Sequence, residues 1–351
     1  MNATPNPPAL KFLVIRRDNI GDLVCTTPVF RALREHYPDA CICALVNSYT
    51  SSALENNPDI NEVFVYTKAK HRPSGKTIPG VYWDRLRLLL QLRRQRFDYV
   101  ILAGPAFQER MLWFTRMLKP KHIVGFIQEG KRGIRHIDIG MPYHPVPKPI
   151  HEVEDTFRLL AAIGIESPPP SLQIVANPAK ISTVQQLIDQ QQWPPDAFRL
   201  GIHISARKPS QRWPTSHFVA LIRKLHQTHN AAFILFWSPG AETNPMHPGD
   251  DAKAKEIIDA LPDIPVLAYP THELGQLIAG LSLTQVVVCS DGGAMHLAAG
   301  LGKPILCFFG KSESMRWHPW KVPYVLLQPQ SLDAKDISVE ETCNGVEKLL
   351  S

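Results

Sequence analysis

Short apolar runs alternate with longer amphipathic segments from one end of the chain to the other, the pattern of parallel strands covered by helices. In the first half, Phe12 to Ile15, Cys41 to Val46, Glu62 to Tyr66 and Tyr99 to Leu102 read as strands. Thr27 to His36 and Arg85 to Gln95 carry helical spacing, with Pro28 in a first turn, where its missing N–H has no intrahelical partner to lose. Residues 67 to 82, rich in Lys, Pro and Gly, are expected to form a loop, and residues 104 to 148, where aromatic and basic residues mix, to be irregular. His151 to Ile163 is expected as one further helix, closed by Gly164.

The S-P-P-P that follows marks an extended connector, and the boundary between halves falls within residues 166 to 198. A second series then begins. Arg199 to Ile204, Ala232 to Trp237, Val286 to Cys289 and Ile305 to Phe309 read as strands, and Ser216 to Thr228, Ala252 to Ala260 and Ala294 to Leu301 as helices. The expected class is α/β: two doubly wound, Rossmann-like domains in tandem, residues 1–175 and 176–351, with a cleft between them.

Composition fits this picture without changing it. At 351 residues, with 44% hydrophobic and 20% charged positions, the chain suits two domains that each bury a core. No run reaches the eighteen or so apolar residues of a membrane span. The polar, proline-rich opening is not a signal h-region, so a cytosolic protein is expected. The six cysteines have neither zinc spacing nor disulfide density and read as small buried hydrophobes. Charge adds more. Residues 1–175 hold 23 Lys and Arg against 16 acids and the remainder 15 against 16, so the first half carries +7 and the second −1. An acidic partner is expected for the first half: a phosphorylated substrate or an anionic membrane surface serves as well as nucleic acid.

The sharpest chemical signal is V-V-V-C-S-D-G-G-A-M-H-L-A-A-G-L-G-K-P, Val286 to Pro304: a buried strand, a glycine turn, then a helix. Gly292 and Gly293 let the backbone approach a pyrophosphate, whose charge the helix N-terminus stabilises, and His296 lies near that opening. The plainer alternative is a strand-turn-helix with Asp291 as N-cap and His296 on the surface. A second signal is R-R-D-N-I-G-D-L, Arg16 to Leu23, a tight loop that places Asp22 at the C-terminal edge of the first sheet, where ligands of open α/β sheets bind. Asp22 there either takes the proton of an attacking hydroxyl or caps the next helix. Arg16 and Arg17 share that edge.

The loops Ser205 to Pro214 and Pro239 to Asn244 follow the next two strands of the second half. Arg207, Lys208 and Arg212 could neutralise a diphosphate, and Glu242 could accept from ribose hydroxyls. The chain has no D-x-D, and its histidines show no metal spacing, so leaving-group stabilisation falls to backbone amides and basic side chains. The first strand is followed by R-D-N-I-G-D rather than G-x-G-x-x-G, which argues against a nicotinamide site. Two basic segments, Arg85 to Arg96 and Lys131 to His136, are candidates for a rim that attracts an anionic acceptor. In the first, Leu86, Leu89, Leu90 and Leu92 also fit a packed helix with solvated arginines.

Taken in order, R-x-x-x-x-G-D, T-T-P, L-x-x-x-Y-P, H-E-V-E-D, R-W-P, G-A-E and S-D-G-G-A-M-H-L-A-A resemble the bacterial lipopolysaccharide heptosyltransferases, glycosyltransferase family 9, through most of the chain. The resemblance implies a GT-B fold and an inverting, metal-independent sugar transfer, commonly from ADP-heptose, with no cofactor. It implies Asp22 as catalytic base, Glu242 as ribose ligand, and Asp291, Gly292, Gly293 and His296 as diphosphate and sugar site, with Ser205, Arg207, Lys208, Gln211 and Arg212 lining the donor. Arg16, Arg17, Lys131, Arg132 and Arg135 become the acceptor candidates, toward a lipid-linked phosphorylated saccharide rather than nucleic acid. Contact with the inner face of the cytoplasmic membrane goes with such an acceptor. Two departures stand out: Gln211 where many members have Lys, and Gly292 where Thr or Ser is frequent. A nucleotide-sugar epimerase or hydrolase on the same fold, or a non-catalytic nucleotide-sugar-binding relative, remain alternatives.

Overall fold

A computed structural model describes residues 9–67, 78–104, 106–143, 149–191, 193–194, 197–244 and 248–351. The chain divides into two compact units, Met1–Pro170 and Ser171–Ser351. The polar opening of the chain and most of the loop expected over residues 67 to 82 lie outside the described residues.

In the first unit β1 (Lys11–Ile15), β2 (Cys41–Asn47), β3 (Glu62–Tyr66), β4 (Tyr99–Leu102), β5 (His122–Ile127) and β6 (Ile139–Pro142) form one parallel sheet in the order β3-β2-β1-β4-β5-β6. Helices α1 (Ile20–Val24), α2 (Thr27–His36), α3 (Ile78–Arg94), α4 (Glu109–Leu118) and α5 (Glu152–Phe157) complete it. The apolar run of β1 is buried from Phe12 to Ile15, as a strand covered on both faces requires. Ile15 pairs with Leu45 of β2 on one side and Leu102 of β4 on the other.

The second unit repeats the plan. Strands β7 (Arg199–His203), β8 (Ala232–Trp237), β9 (Val266–Pro270), β10 (Val286–Ser290), β11 (Ile305–Phe308) and β12 (Tyr324–Leu327) run parallel in the order β12-β11-β10-β7-β8-β9. Its helices are α6 (Pro178–Asp189), α7 (Thr215–His229), α8 (Asp251–Asp259), α9 (Leu274–Ser282), α10 (Gly293–Gly300), α11 (Ser314–Trp317) and α12 (Val339–Leu350). Renumbered within itself, each sheet has the order 3-2-1-4-5-6, the doubly wound arrangement whose switch point lies between its first and fourth strands. Those switch points are β1/β4 and β7/β10.

Several expectations need correction. Among the described residues of 104 to 148 the chain is not irregular throughout: α4, β5 and β6 lie there. Helix α4 buries Met111, Leu112, Thr115 and Leu118 but also exposes Trp113 and Met117, and apolar residues on both faces conceal the helical period. The segment expected as one helix from His151 divides into α5 and a 3₁₀ stretch, Arg158–Ile163, before Gly164 closes it at φ +84°. A one-turn helix, α1, occupies part of the expected tight loop after β1. The units divide at Pro170, at the end of S-P-P-P, and the remainder of the range expected for the boundary holds α6, capped by Asn177 and packed on α9. Among the described residues no helix is long and apolar enough to cross a membrane.

Candidate active site at two sheet switch points

At the end of β1 the chain turns Arg16 into the interior, where it is 2% exposed. Its Nη2 donates to Asp22 Oδ1 at 2.9 Å and to Glu152 Oε1 at 2.7 Å. Its Nη1 donates to the Ala103 carbonyl just beyond β4, at 2.8 Å, and to Thr156 Oγ1 at 3.2 Å. Asp18 Oδ2 lies 3.0 Å from Nε. Burial disfavours the guanidinium charge, but Glu152, Asp22 and Asp18 outweigh it and raise the Arg16 pKa. One side chain therefore ties the ends of β1 and β4 to α5, and a carboxylate is fixed at the switch point.

Asp22 is held from its other side as well. Oδ2 accepts from the Asn19 backbone N–H and from Asn19 Nδ2, both at 3.0 Å, which makes Asp22 the N3 member of a capping box on α1. Capping and availability thus coexist, since the Asp22 side chain keeps 16% exposure whereas Glu152 has 1%. The acceptor candidates separate. Arg16 is committed inside the unit; Arg17 is half-buried with its guanidinium 4.3 Å from the Tyr66 ring centre; Lys131, Arg132 and Arg135 are exposed.

In the second unit the loop after β7 lies against the turn after β10. Gln211 is 3% exposed and its Nε2 donates to Asp291 Oδ2 at 2.6 Å and to Ser312 Oγ at 3.3 Å, while its carbonyl accepts from Ser290 Oγ at 2.7 Å. Trp213 anchors the loop in the core, stacked on Phe308 with its indole N–H donating to the Ile337 carbonyl. Gly310 allows the close approach: a Cβ there would meet the Ser210 carbonyl oxygen at 2.0 Å. Ser205 Oγ accepts from the Ser238 N–H at 2.9 Å, joining this loop to the one after β8. In that second loop Glu242 is largely exposed and forms an ion pair with Arg212. Arg207 and Lys208 are exposed.

The glycine turn differs from both sequence readings in detail. Gly292, not Asp291, is the N-cap of α10, and His296 is buried, 3% exposed, near the Trp317 ring. Gly292 is extended, at φ 161° and ψ −167°, and a Cβ there would find nothing nearer than the Ser290 carbonyl oxygen at 4.0 Å. Its conformation does not demand glycine; the missing side chain leaves open space beside the first N–H groups of α10. Gly293 begins the helix.

The sequence marks Glu152 only as part of H-E-V-E-D, with no role assigned, and gives no sign of Lys253 of α8. Lys253 Nζ donates to the Ile204 carbonyl at 3.2 Å and to the Trp213 carbonyl at 2.8 Å, strapping both ends of the loop after β7. Burial is the main cause that pushes its pKa down to about 8, with Arg212 adding to it and Asp250 and Glu242 opposing. Neighbouring Lys255 is exposed and pairs with Asp259, and D-D-A-K-A-K-E does not tell the two apart. Among the described residues no three His, Cys, Asp or Glu side chains gather as metal ligands.

Two parallel, doubly wound sheets with polar chemistry at both switch points define a two-domain, Rossmann-like protein of the GT-B glycosyltransferase class. The sequence profile of glycosyltransferase family 9 (heptosyltransferase) matches residues 85–345, and the chain belongs to that family and is a glycosyltransferase. It is 25% identical over 305 residues to lipopolysaccharide heptosyltransferase 3 of Escherichia coli, covering 86% of this chain and 83% of that one. It is also 25% identical over 314 residues to lipopolysaccharide heptosyltransferase 2 of E. coli K12, with the same two coverages. In fold it is similar to E. coli ADP-heptose heptosyltransferase II (TM-score 0.76, 20% identity, 97% and 98% of the two chains). The E. coli heptosyltransferase WaaC with ADP-2-deoxy-2-fluoro heptose is also similar (TM-score 0.73, 18% identity, 97% and 99%).

Proposed function

We propose that the protein transfers heptose from ADP-heptose to a phosphorylated acceptor of the lipopolysaccharide-core type, with inversion and without a metal. The observation that carries this reading is the turn after β10, where Asp291 is engaged by Gln211 and an extended Gly292 leaves room before the N-terminus of α10. An entering diphosphate would meet backbone N–H groups and the positive end of the helix there, with Arg207 and Lys208 exposed on the loop after β7. The Arg212–Glu242 pair offers a carboxylate to ribose hydroxyls. Similarity to proteins named as heptosyltransferases, one of them solved with an ADP-heptose analogue, supports the choice of donor.

In this mechanism the acceptor hydroxyl oxygen attacks the anomeric carbon from the face opposite the diphosphate. The carbon–oxygen bond to the diphosphate breaks, its electron pair leaves with ADP, and the hydroxyl proton passes to Asp22. Arg16 and Glu152 act behind Asp22, fixing its carboxylate. Lys131, Arg132 and Arg135 are the exposed groups offered to acceptor phosphates.

The test is transfer by the purified protein from ADP-heptose to a phosphorylated inner-core saccharide, followed by mass spectrometry, with and without EDTA. Acceptor heptosylation that EDTA does not affect is expected, along with tighter binding of ADP than of UDP, GDP or CMP. Donor breakdown without acceptor, or tighter binding of another nucleotide, would overturn the assignment. Glu242→Ala and His296→Ala should each weaken ADP-heptose binding about tenfold and leave acceptor binding unchanged, as titration of each ligand would show.

A further inference from the structure

Among the described residues, six of the eleven exposed large hydrophobic side chains belong to two helices: Tyr82, Trp83, Leu86 and Leu90 on α3, and Trp113 and Met117 on α4. Helix α3 packs on α4 and buries one face, through Leu88, Leu89 and Leu92, in the core of the first unit. At about 100° per residue, Trp83, Leu86, Arg87, Leu90 and Arg94 fall within one arc on the opposite face. The sequence left open whether the leucines of this segment are all packed. They divide: Leu89 and Leu92 point inward, while Leu86 and Leu90 stand 44% and 47% exposed.

The charges on that ridge have one sign. Asp84, the single acid of α3, lies off the arc, and the Arg87 guanidinium sits 5.5 Å from the Trp83 ring centre. Helix α4 repeats the pairing, with Arg116 at 4.5 Å from Trp113. Beyond Trp113 the surface continues into an open depression lined by Arg132 and Arg135, where the His136 ring is 6.0 Å from the indole. Arginine–tryptophan pairs among exposed leucines suit the boundary of a bilayer, where the apolar bodies enter the acyl region and the guanidiniums stay at the phosphates. A second copy of the chain fits poorly, because a two-fold contact would set one arginine row against the other.

We propose that the α3 ridge, extended by Trp113 and Met117 of α4, seats the protein on an anionic lipid leaflet. The inference rests on this surface alone and is separable from the sugar-transfer reading. The test is co-sedimentation of the full chain with phosphatidylcholine vesicles containing or lacking phosphatidylglycerol. Binding to the anionic vesicles should be at least about tenfold tighter and should weaken with salt. The Trp83→Ser/Leu86→Ser/Leu90→Ser variant, altered only at exposed positions, should bind those vesicles about tenfold more weakly while retaining its circular dichroism and its activity on a water-soluble acceptor. Arg87→Gln/Arg94→Gln should flatten the salt dependence. Equal binding of the wild type to both vesicle types would overturn the proposal, whatever the variants do. So would undiminished binding by the triple variant, or a dimer in sedimentation equilibrium that the triple variant abolishes.

Discussion

The two switch points share one topology and differ in how their polar groups are held. At β1/β4 the charges are already paired: Arg16 joins Asp22, Asp18 and Glu152, of which Glu152 is fully buried while Asp22 and Asp18 keep accessible edges. At β7/β10 the turn is open, with an unfilled space beside Gly292, a helix N-terminus beyond it and exposed cations on the neighbouring loop. A closed network fixes the direction of one group; an open turn leaves its backbone donors uncovered, where the proposed reading seats an anion. On the proposed reading, the same sheet edge serves an acid–base group in one unit and a phosphate cradle in the other.

The contrast is broken most severely at Arg16. Arg16→Met leaves Glu152 buried without its cation, which should destabilise the first unit by about 3–5 kcal/mol and reduce transfer to background. Denaturant titration checks the first effect. Arg16→Met/Glu152→Leu should recover much of the stability but not the activity, and recovery of both would mean that the network has no part in holding Asp22.

A smaller effect is expected at the second switch point, where Gly310 and Gly292 should behave oppositely. Gly310→Ala drives a Cβ into the Ser210 carbonyl, so roughly 1–3 kcal/mol of stability should be lost. The displaced loop should also weaken nucleotide binding about tenfold. Gly292→Ser should change stability by less than about 0.5 kcal/mol, because its backbone and surroundings accept a side chain. Calorimetry on both variants separates a glycine needed for packing from one that leaves space.

The comparison is sharpened by the titration of Lys253. Its folded pKa of about 8 lies below the ordinary lysine value of 10.5, so between those limits the unfolded chain holds a proton that the folded chain has released. Stability attributable to this group should therefore rise with pH across that window. Nuclear magnetic resonance of the Lys253 side chain should show a midpoint near 8, and a midpoint near 10.5 would mean that the strap is solvated.

Much of the fold was legible because parallel strands buried on both faces appear as uninterrupted apolar runs, as in β1, β8 and β10. What stayed hidden had a weaker or mixed signal. Helix α4 is apolar on two sides, β6 is the four-residue I-G-M-P, and α5 passes into a 3₁₀ stretch without any marker in the sequence. Of the site, Asp22 and the glycine turn were visible because a strand end and a turn residue fix their placement. The roles of Glu152 and Lys253 were not, since only burial separates Glu152 from Glu154 and Lys253 from Lys255. Gln211 was visible only as a departure from the family pattern; its bond to Asp291 needed coordinates.

The central claim, that Asp22 accepts the proton of the attacking hydroxyl, is tested most directly by Asp22→Asn. The amide can keep an oxygen toward the Asn19 N–H and so preserve much of the α1 cap, at the loss of the bond accepted from Arg16, but it cannot take up the proton. Transfer should be measured in single turnovers at saturating donor and acceptor, alongside ADP affinity and thermal unfolding. The expected result is a rate lower by about 10²- to 10⁴-fold with ADP affinity and fold unchanged. Transfer within a few-fold of wild type would contradict the claim and leave Asp22 as a helix cap alone.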